Sequence, residues 1–355
     1  MRITKLDGLR GICSLMVVFF HYSSSFLPDF IFNNFIIRES WSFVDFFFVL
    51  SGYVIVSNYK NINNIDYLWI YIKKRFIRLY PLLFFSTIVF FSFSFVSNLF
   101  LSQYISDPKE IKTLLIETCN SLFLLNSTPV FGDVIGMNHP SWSVSSEFIS
   151  YLVFGVLSLY FVCKRYYMSL IVIFISFILL SYIEYNLIFG DWRFLRGLIG
   201  FNTGVCIYYL SIRKFNINNN IEYFIPILII SYFYFFYSCD FEYKIILDLI
   251  LRPLMFGLVI IILLKTNNFI SKILDTKPLK FLGKISYSIY LNHAIIIIII
   301  PRICFKILEV SQNIFTEIFV FISCSILTVL YSYLTYKYIE LGSSNYLKNI
   351  FLNKK

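Results

Sequence analysis

Apolar residues run along this chain in blocks of about twenty, parted by short polar stretches, from one end to the other. Coiled as an α-helix, a block of that length matches the hydrocarbon core of a bilayer. Ten blocks predict ten spans, near 9–28, 42–59, 80–100, 144–163, 168–187, 193–211, 221–238, 244–265, 284–306 and 314–338. Two connections exceed the usual short loop. Residues 60–80 include "DYLWIYIKKRFIRLYP", whose mixed aromatic and basic residues read as an interfacial helix ahead of the span that Pro81 starts. Residues 101–143 hold "IKTLLIETCNSLFLLN", too short to cross and expected to lie on, or dip into, the outer leaflet. There is no internal repeat and no appended soluble domain. The expected architecture is therefore an all-α polytopic membrane protein: one compact bundle over 1–345 and a short cytoplasmic tail over 346–355.

Composition agrees with that pattern. Of 355 residues, 58% are hydrophobic and 14% charged, against about 45–50% and 25% in soluble domains. The net charge of +10 does not indicate a nucleic-acid partner, because the basic residues fall in alternate short loops. Lys5 and Arg10, Lys60 through Arg78, Lys164 with Arg165, Arg213 with Lys214, Lys265 through Lys284 and Lys348 all belong to one side. That asymmetry is the orientation signal of an inner-membrane protein and puts both termini in the cytoplasm. The opening "MRITK" followed by "ICSLMVVFF" could also pass for a signal peptide. A chain that is membrane-embedded throughout needs none. The seven cysteines are scattered without paired spacing, which suggests neither a disulfide framework nor a zinc site.

Ionisable residues inside apolar runs are costly and mark candidate sites. Arg10 and His21 share the first span, eleven residues apart. A helix returns to within roughly 20° over that distance and advances about 16 Å, so both lie on one face, with Ser14 between them. Such a stripe could line a cavity; alternatively Arg10 reaches the headgroups and His21 bonds a neighbouring helix. Asp45 stands near the outer start of the second span, where it could orient an imidazole or an incoming hydroxyl, or remain a solvated carboxylate. Gly52, after Ser51, would allow close helix approach. Arg75 and Arg78, three residues apart, share a helical face and could present two planar forks to phosphates, or contact anionic lipid.

In "NHPSWSVSSEFISY", Pro140 and the serines predict a helix start, with Glu147 just inside the membrane, Tyr151 one turn on and His139 immediately outside. Glu147 could hold a histidine in one tautomer, act as a base, or face the pore of a carrier. His293 lies deep in the ninth span, where a lone histidine more often serves packing than chemistry.

Taken together, "LDGLRGI…FFHY", "DFFFVLSGY", "RFIRLYP", "SWSVSSEFISY" and "LGKISYSIYLNH" resemble, in order, the motifs of acyltransferase family 3, the membrane O-acyltransferases. The resemblance implies about ten helices and transfer of an acyl group, usually acetyl, from cytoplasmic acyl-coenzyme A to a glycan hydroxyl across the membrane. It implies acetyl-CoA as donor, no metal, and a glycan or lipid-linked oligosaccharide as acceptor, among membrane lipid in a bacterial inner membrane. On the same basis Arg10, Arg75 and Arg78 bind the donor and Trp142, Ser143 and Glu147 form one motif; Trp142 and Ser143, joined by His139 and Tyr151 from their positions in the chain, are the candidate acceptor-side residues. His21 is the essential histidine, acting as general base or transient acyl carrier, with Glu147 and Asp45 beside it. Two positions depart from the family pattern. Ser146 stands where an apolar residue is usual, and Gly342 stands in "YIELGSSN" where a proline commonly follows the glutamate, which leaves the role of Glu340 open.

Two other functions fit a polytopic membrane protein. A transporter or flippase of lipid-linked sugars would be expected to show repeated halves with broken helices. A glycan polymerase would be expected to carry a basic outer loop, whereas 101–143 sets Lys109 and Lys112 against Asp107, Glu110, Glu117 and Asp133.

Overall fold

A computed structural model describes residues 3–22, 26–100, 108–131, 136–184, 192–240 and 243–352; Asp107 and Asp133 lie outside them. The described residues form helices and no strand. The principal ones are α1 (Thr4–Phe20), α2 (Phe43–Asn58), α3 (Ile65–Phe100), α4 (Ile111–Leu122), α5 (Trp142–Tyr160), α6 (Arg165–Glu184), α7 (Arg193–Ser211), α8 (Phe224–Ser238), α9 (Lys244–Lys265), α10 (Lys277–Arg302), α11 (Ile314–Thr335) and α12 (Ser344–Phe351). A π-helix, Tyr336–Ser343, joins the last two. Among the described residues, eight helical segments are long and apolar enough to cross a membrane. The other two expected spans form as the helices α1 and α7. The protein is an all-α, multi-pass membrane protein.

Two expectations change. First, α1 stops at Phe20, so His21 is its C-terminal cap and not a residue in the outer half of a span running to 28. The imidazole Nδ1 lies 2.8 Å from the Val17 carbonyl, which also accepts from the backbone N–H of His21 at 3.3 Å, so the ring is held back against its own helix. Second, residues 65–100 are one helix of 36 residues with Pro81 inside it, not an interfacial helix followed by a span. Proline removes the bond to the carbonyl four residues back, here Ile77. The Ser344 hydroxyl donates to that carbonyl at 2.9 Å, so the helix passes the proline with its freed acceptor matched.

Small residues set the closest helix crossings. A methyl at Gly52 would overlap the Phe201 carbonyl, and one at Gly204 the Val49 carbonyl, so α2 and α7 meet backbone to backbone. Gly283 meets the Asp7 carbonyl in the same way and seats α10 along α1. Phe46, Phe48, Phe201 and Phe256 fill the core beside these crossings.

Candidate active site

A cavity of about 650 Å³ opens between α1, α2, α3, α5 and α10. Arg10, Lys60, Arg78 and Asn58 line it together with Asp7, which lies 3.8 Å from the Arg10 guanidinium. Val44, Phe47, Leu50 and Val54 of α2 give it an apolar wall, and Glu147, Ser51 and Tyr151 a polar one. Ser51 donates to a Glu147 carboxylate oxygen at 2.6 Å, its hydroxyl lies 2.9 Å from that of Tyr151, and Tyr151 donates to the same carboxylate. The Tyr151 carbonyl accepts from Tyr71 at 3.1 Å, which ties α5 to α3.

The expected arginine pair divides. Arg78 lines the cavity. Arg75, one turn earlier, donates to the Tyr59 hydroxyl at 2.9 Å, its guanidinium over that ring at 5.1 Å and over Tyr151 at 5.9 Å. Glu147 is likewise placed with serine and tyrosine, not with a histidine. Ser14 turns its hydroxyl to the Gly11 carbonyl and is fully buried.

The inner end of the cavity is formed by Ser143 and Tyr290. Ser143 donates to the Tyr290 hydroxyl at 2.7 Å, and Tyr290 donates to the Pro140 carbonyl at 3.0 Å. Asn138 donates to the Leu291 carbonyl at 2.9 Å. These bonds fix the start of α5 against α10. Behind Tyr290, all three histidines of the chain converge. The His293 ring centre is 6.0 Å from that of Tyr290 and 4.8 Å from that of His21, and His139 is 6.0 Å from His21. His293 is thus a neighbour of the expected base rather than an isolated core residue. Its signal in the sequence was its rarity: one of three histidines, deep in an apolar run.

Asp45 is held elsewhere. Arg196 grips it with two bonds, Nε to one oxygen at 3.0 Å and a terminal nitrogen to the other at 2.5 Å, and Arg252 donates to it at 3.0 Å. Arg252 also pairs with Asp248. The guanidiniums alternate with indoles: Arg193 and Arg196 flank Trp142 at 5.6 and 5.5 Å, and Arg196 and Arg252 flank Trp41 at 4.7 and 3.8 Å. Each stack adds a cation–π attraction in a desolvated setting. Trp142 therefore sits in this ladder, next to Ser143 of the cavity. Arg196 and Arg252 escaped the sequence reading, although each lies in an apolar run and so required a partner. Among the described residues no group of histidine, cysteine, aspartate and glutamate is arranged to hold a metal ion.

A multi-pass bundle that sets a cationic cavity beside a cluster of three imidazoles holds groups chemically suited to transfer reactions within a membrane. The chain matches the acyltransferase-domain family over residues 3–337 and belongs to it, acyltransferase family 3. No curated protein and no solved structure matches it.

Proposed function

We propose that this acyltransferase moves an acyl group, acetyl above all, from cytoplasmic acyl-coenzyme A to a hydroxyl of a cell-surface glycan such as an O-antigen or capsule repeat carried on lipid. The observation that carries the reading is the line from Arg10 and Arg78, through one cavity, to Tyr290 and the histidines behind it. The cavity suits such a donor in chemistry and size: guanidiniums and Lys60 for phosphates, an apolar wall for an uncharged arm, and a volume within the range of small-molecule sites.

The donor brings the activated acyl carbon, and this chain's own groups do the rest. Arg10 and Arg78 hold the donor's phosphates. Arg75 stiffens the approach through Tyr59, and the bonded set of Ser51, Glu147 and Tyr151 lines the passage. His21 removes the acceptor's proton: its Nδ1–H donates to the Val17 carbonyl, leaving Nε2 as the basic nitrogen. Asp45 acts through the arginine–tryptophan ladder, which sets Trp142 and the start of α5. On this reading the donor end and both termini face the cytoplasm of a bacterial inner membrane and the histidine end faces outward, which the distribution of basic loops supports. Mass spectrometry of surface polysaccharide from cells with and without the gene is the test. Loss of one acetyl mass per repeat is expected, and an unchanged glycan would refute the acceptor class.

A further inference from the structure

We propose that His293 shares the proton that His21 takes from the acceptor, so that the two imidazoles work as one base; this rests on the reading of His21 given above. The Nδ1 atoms of His21 and His293 face the Val17 and Ile289 carbonyls, at 2.8 and 3.3 Å. A carbonyl only accepts, so each ring carries its proton on Nδ1 and leaves Nε2 as a lone pair. His293 is fully buried, and its Nε2 has no hydrogen-bond partner. A buried acceptor without a donor is unfavourable and calls for an explanation.

The ring centres of His21 and His293 are 4.8 Å apart at an interplanar angle of 56°. At that spacing a turn of the rings brings an N–H of one imidazole within reach of the lone pair of the other. In the resting site there is one proton too few to form that bond, and the reaction supplies it. The other titratable rings around His293 are His139, across His21, and Tyr290 on its own helix. Tyr290 already donates to the Pro140 carbonyl, so its proton is not offered to the pair.

The balance is simple. The acceptor O–H bond breaks, and its proton joins His21 Nε2, where His293 Nε2 accepts a hydrogen bond from it. The acceptor oxygen forms the C–O bond to the acyl carbon. The C–S bond breaks with its electron pair on sulfur. The shared proton then passes to that sulfur as the thiol, and both imidazoles return to neutral. His293 is a positioning residue in this scheme, acting through His21.

The experiment measures incorporation of radiolabelled acetyl-CoA into polysaccharide in membrane vesicles from the native host. His293→Ala is expected to lower kcat 10- to 100-fold with the donor KM within twofold. Added imidazole should restore most of the rate, whereas pyrazole, of the same size but far less basic, should not. A packing role predicts equal rescue by both, and that result, or rescue by neither, overturns the proposal. His293→Gln keeps the bulk without the basicity and should be as slow as the alanine variant; this variant also serves if the alanine form does not accumulate. A rate for His293→Gln within twofold of wild type, with His21→Ala inactive, overturns the shared proton alone. An active His21→Ala overturns the underlying assignment of the base.

Discussion

The Tyr290 hydroxyl stands between Ser143 and the Pro140 carbonyl, accepting from the first at 2.7 Å and donating to the second at 3.0 Å. One oxygen thus fixes the cavity's inner end, and it holds the residue after His139 to the helix that carries His293. Tyr290→Phe removes both bonds, and because Ser143 can still donate to the Pro140 carbonyl at 3.1 Å the loss is that of ordinary hydrogen bonds, about 0.5–1.5 kcal/mol. A lower melting temperature in detergent is expected, with a fall in kcat larger than any rise in donor KM. A variant with unchanged stability and rate would show that the hydroxyl positions nothing.

The two arginines should separate in function. Arg78→Lys loses a planar donor fork inside the cavity, and acetyl-CoA binding to the purified protein should weaken by tenfold or more. Arg75→Lys alters a contact with Tyr59 outside it, and affinity should fall by less than threefold. Calorimetric titration of both variants checks this, and the reverse order would move the phosphate site to Arg75.

His21→Ala should abolish acetyl transfer while the protein keeps its normal abundance in the membrane. Loss of a general base removes roughly 10²–10⁴ in rate, and alanine is well accommodated at a helix end within a bundle. Glycan acetylation at matched expression decides the matter; activity within a few-fold of wild type would return His21 to a capping role only.

Asp45→Asn is expected to act on folding. It leaves Arg196 and Arg252 with one carboxylate fewer among buried groups, and breaking a buried pair of this kind costs about 3–5 kcal/mol. Reduced membrane abundance should accompany near-normal donor affinity in whatever protein is recovered. Normal abundance combined with lost catalysis would instead place Asp45 in the chemistry.

Orientation can be tested with single cysteines and an impermeant thiol reagent in intact cells. Positions 112 and 311, both exposed, should label, and positions 73 and 348 should not. Labelling of 348 without 112 would invert the bundle. Asn126, in the same segment as position 112, is buried and a poor probe.

The spans were legible because a helix in lipid must be apolar over its whole length, and that requirement is written residue by residue. The same logic singles out Arg10, His21 and Glu147 as costly groups at or within apolar runs, whereas Arg78 stands out by its three-residue spacing from Arg75. Hydropathy states the cost of a charge but not what relieves it. Hence the sequence leaves Asp45 open between an imidazole, an incoming hydroxyl and solvent, and does not reveal that Arg196 and Arg252 hold it. The approach of His293 to His21 joins the two ends of the chain through the seating of α10 on α1, and no local pattern encodes it. Pro81 was read as a helix start for the same reason: the rescue of the Ile77 carbonyl comes from Ser344, far along the chain.

The arginine–tryptophan ladder and the glycine crossings bind α2, α5, α7 and α9 into one unit, and Gly283 binds α1 to α10 in a second. The cavity follows the seam between them. Tyr290 and Asn138 stitch that seam at the histidine end, and Lys5, donating to the Thr266 carbonyl at the end of α9, ties it at the guanidinium end. A donor seated along that seam touches both units at once, so its binding adds a tie between them and should raise the stability of the whole bundle.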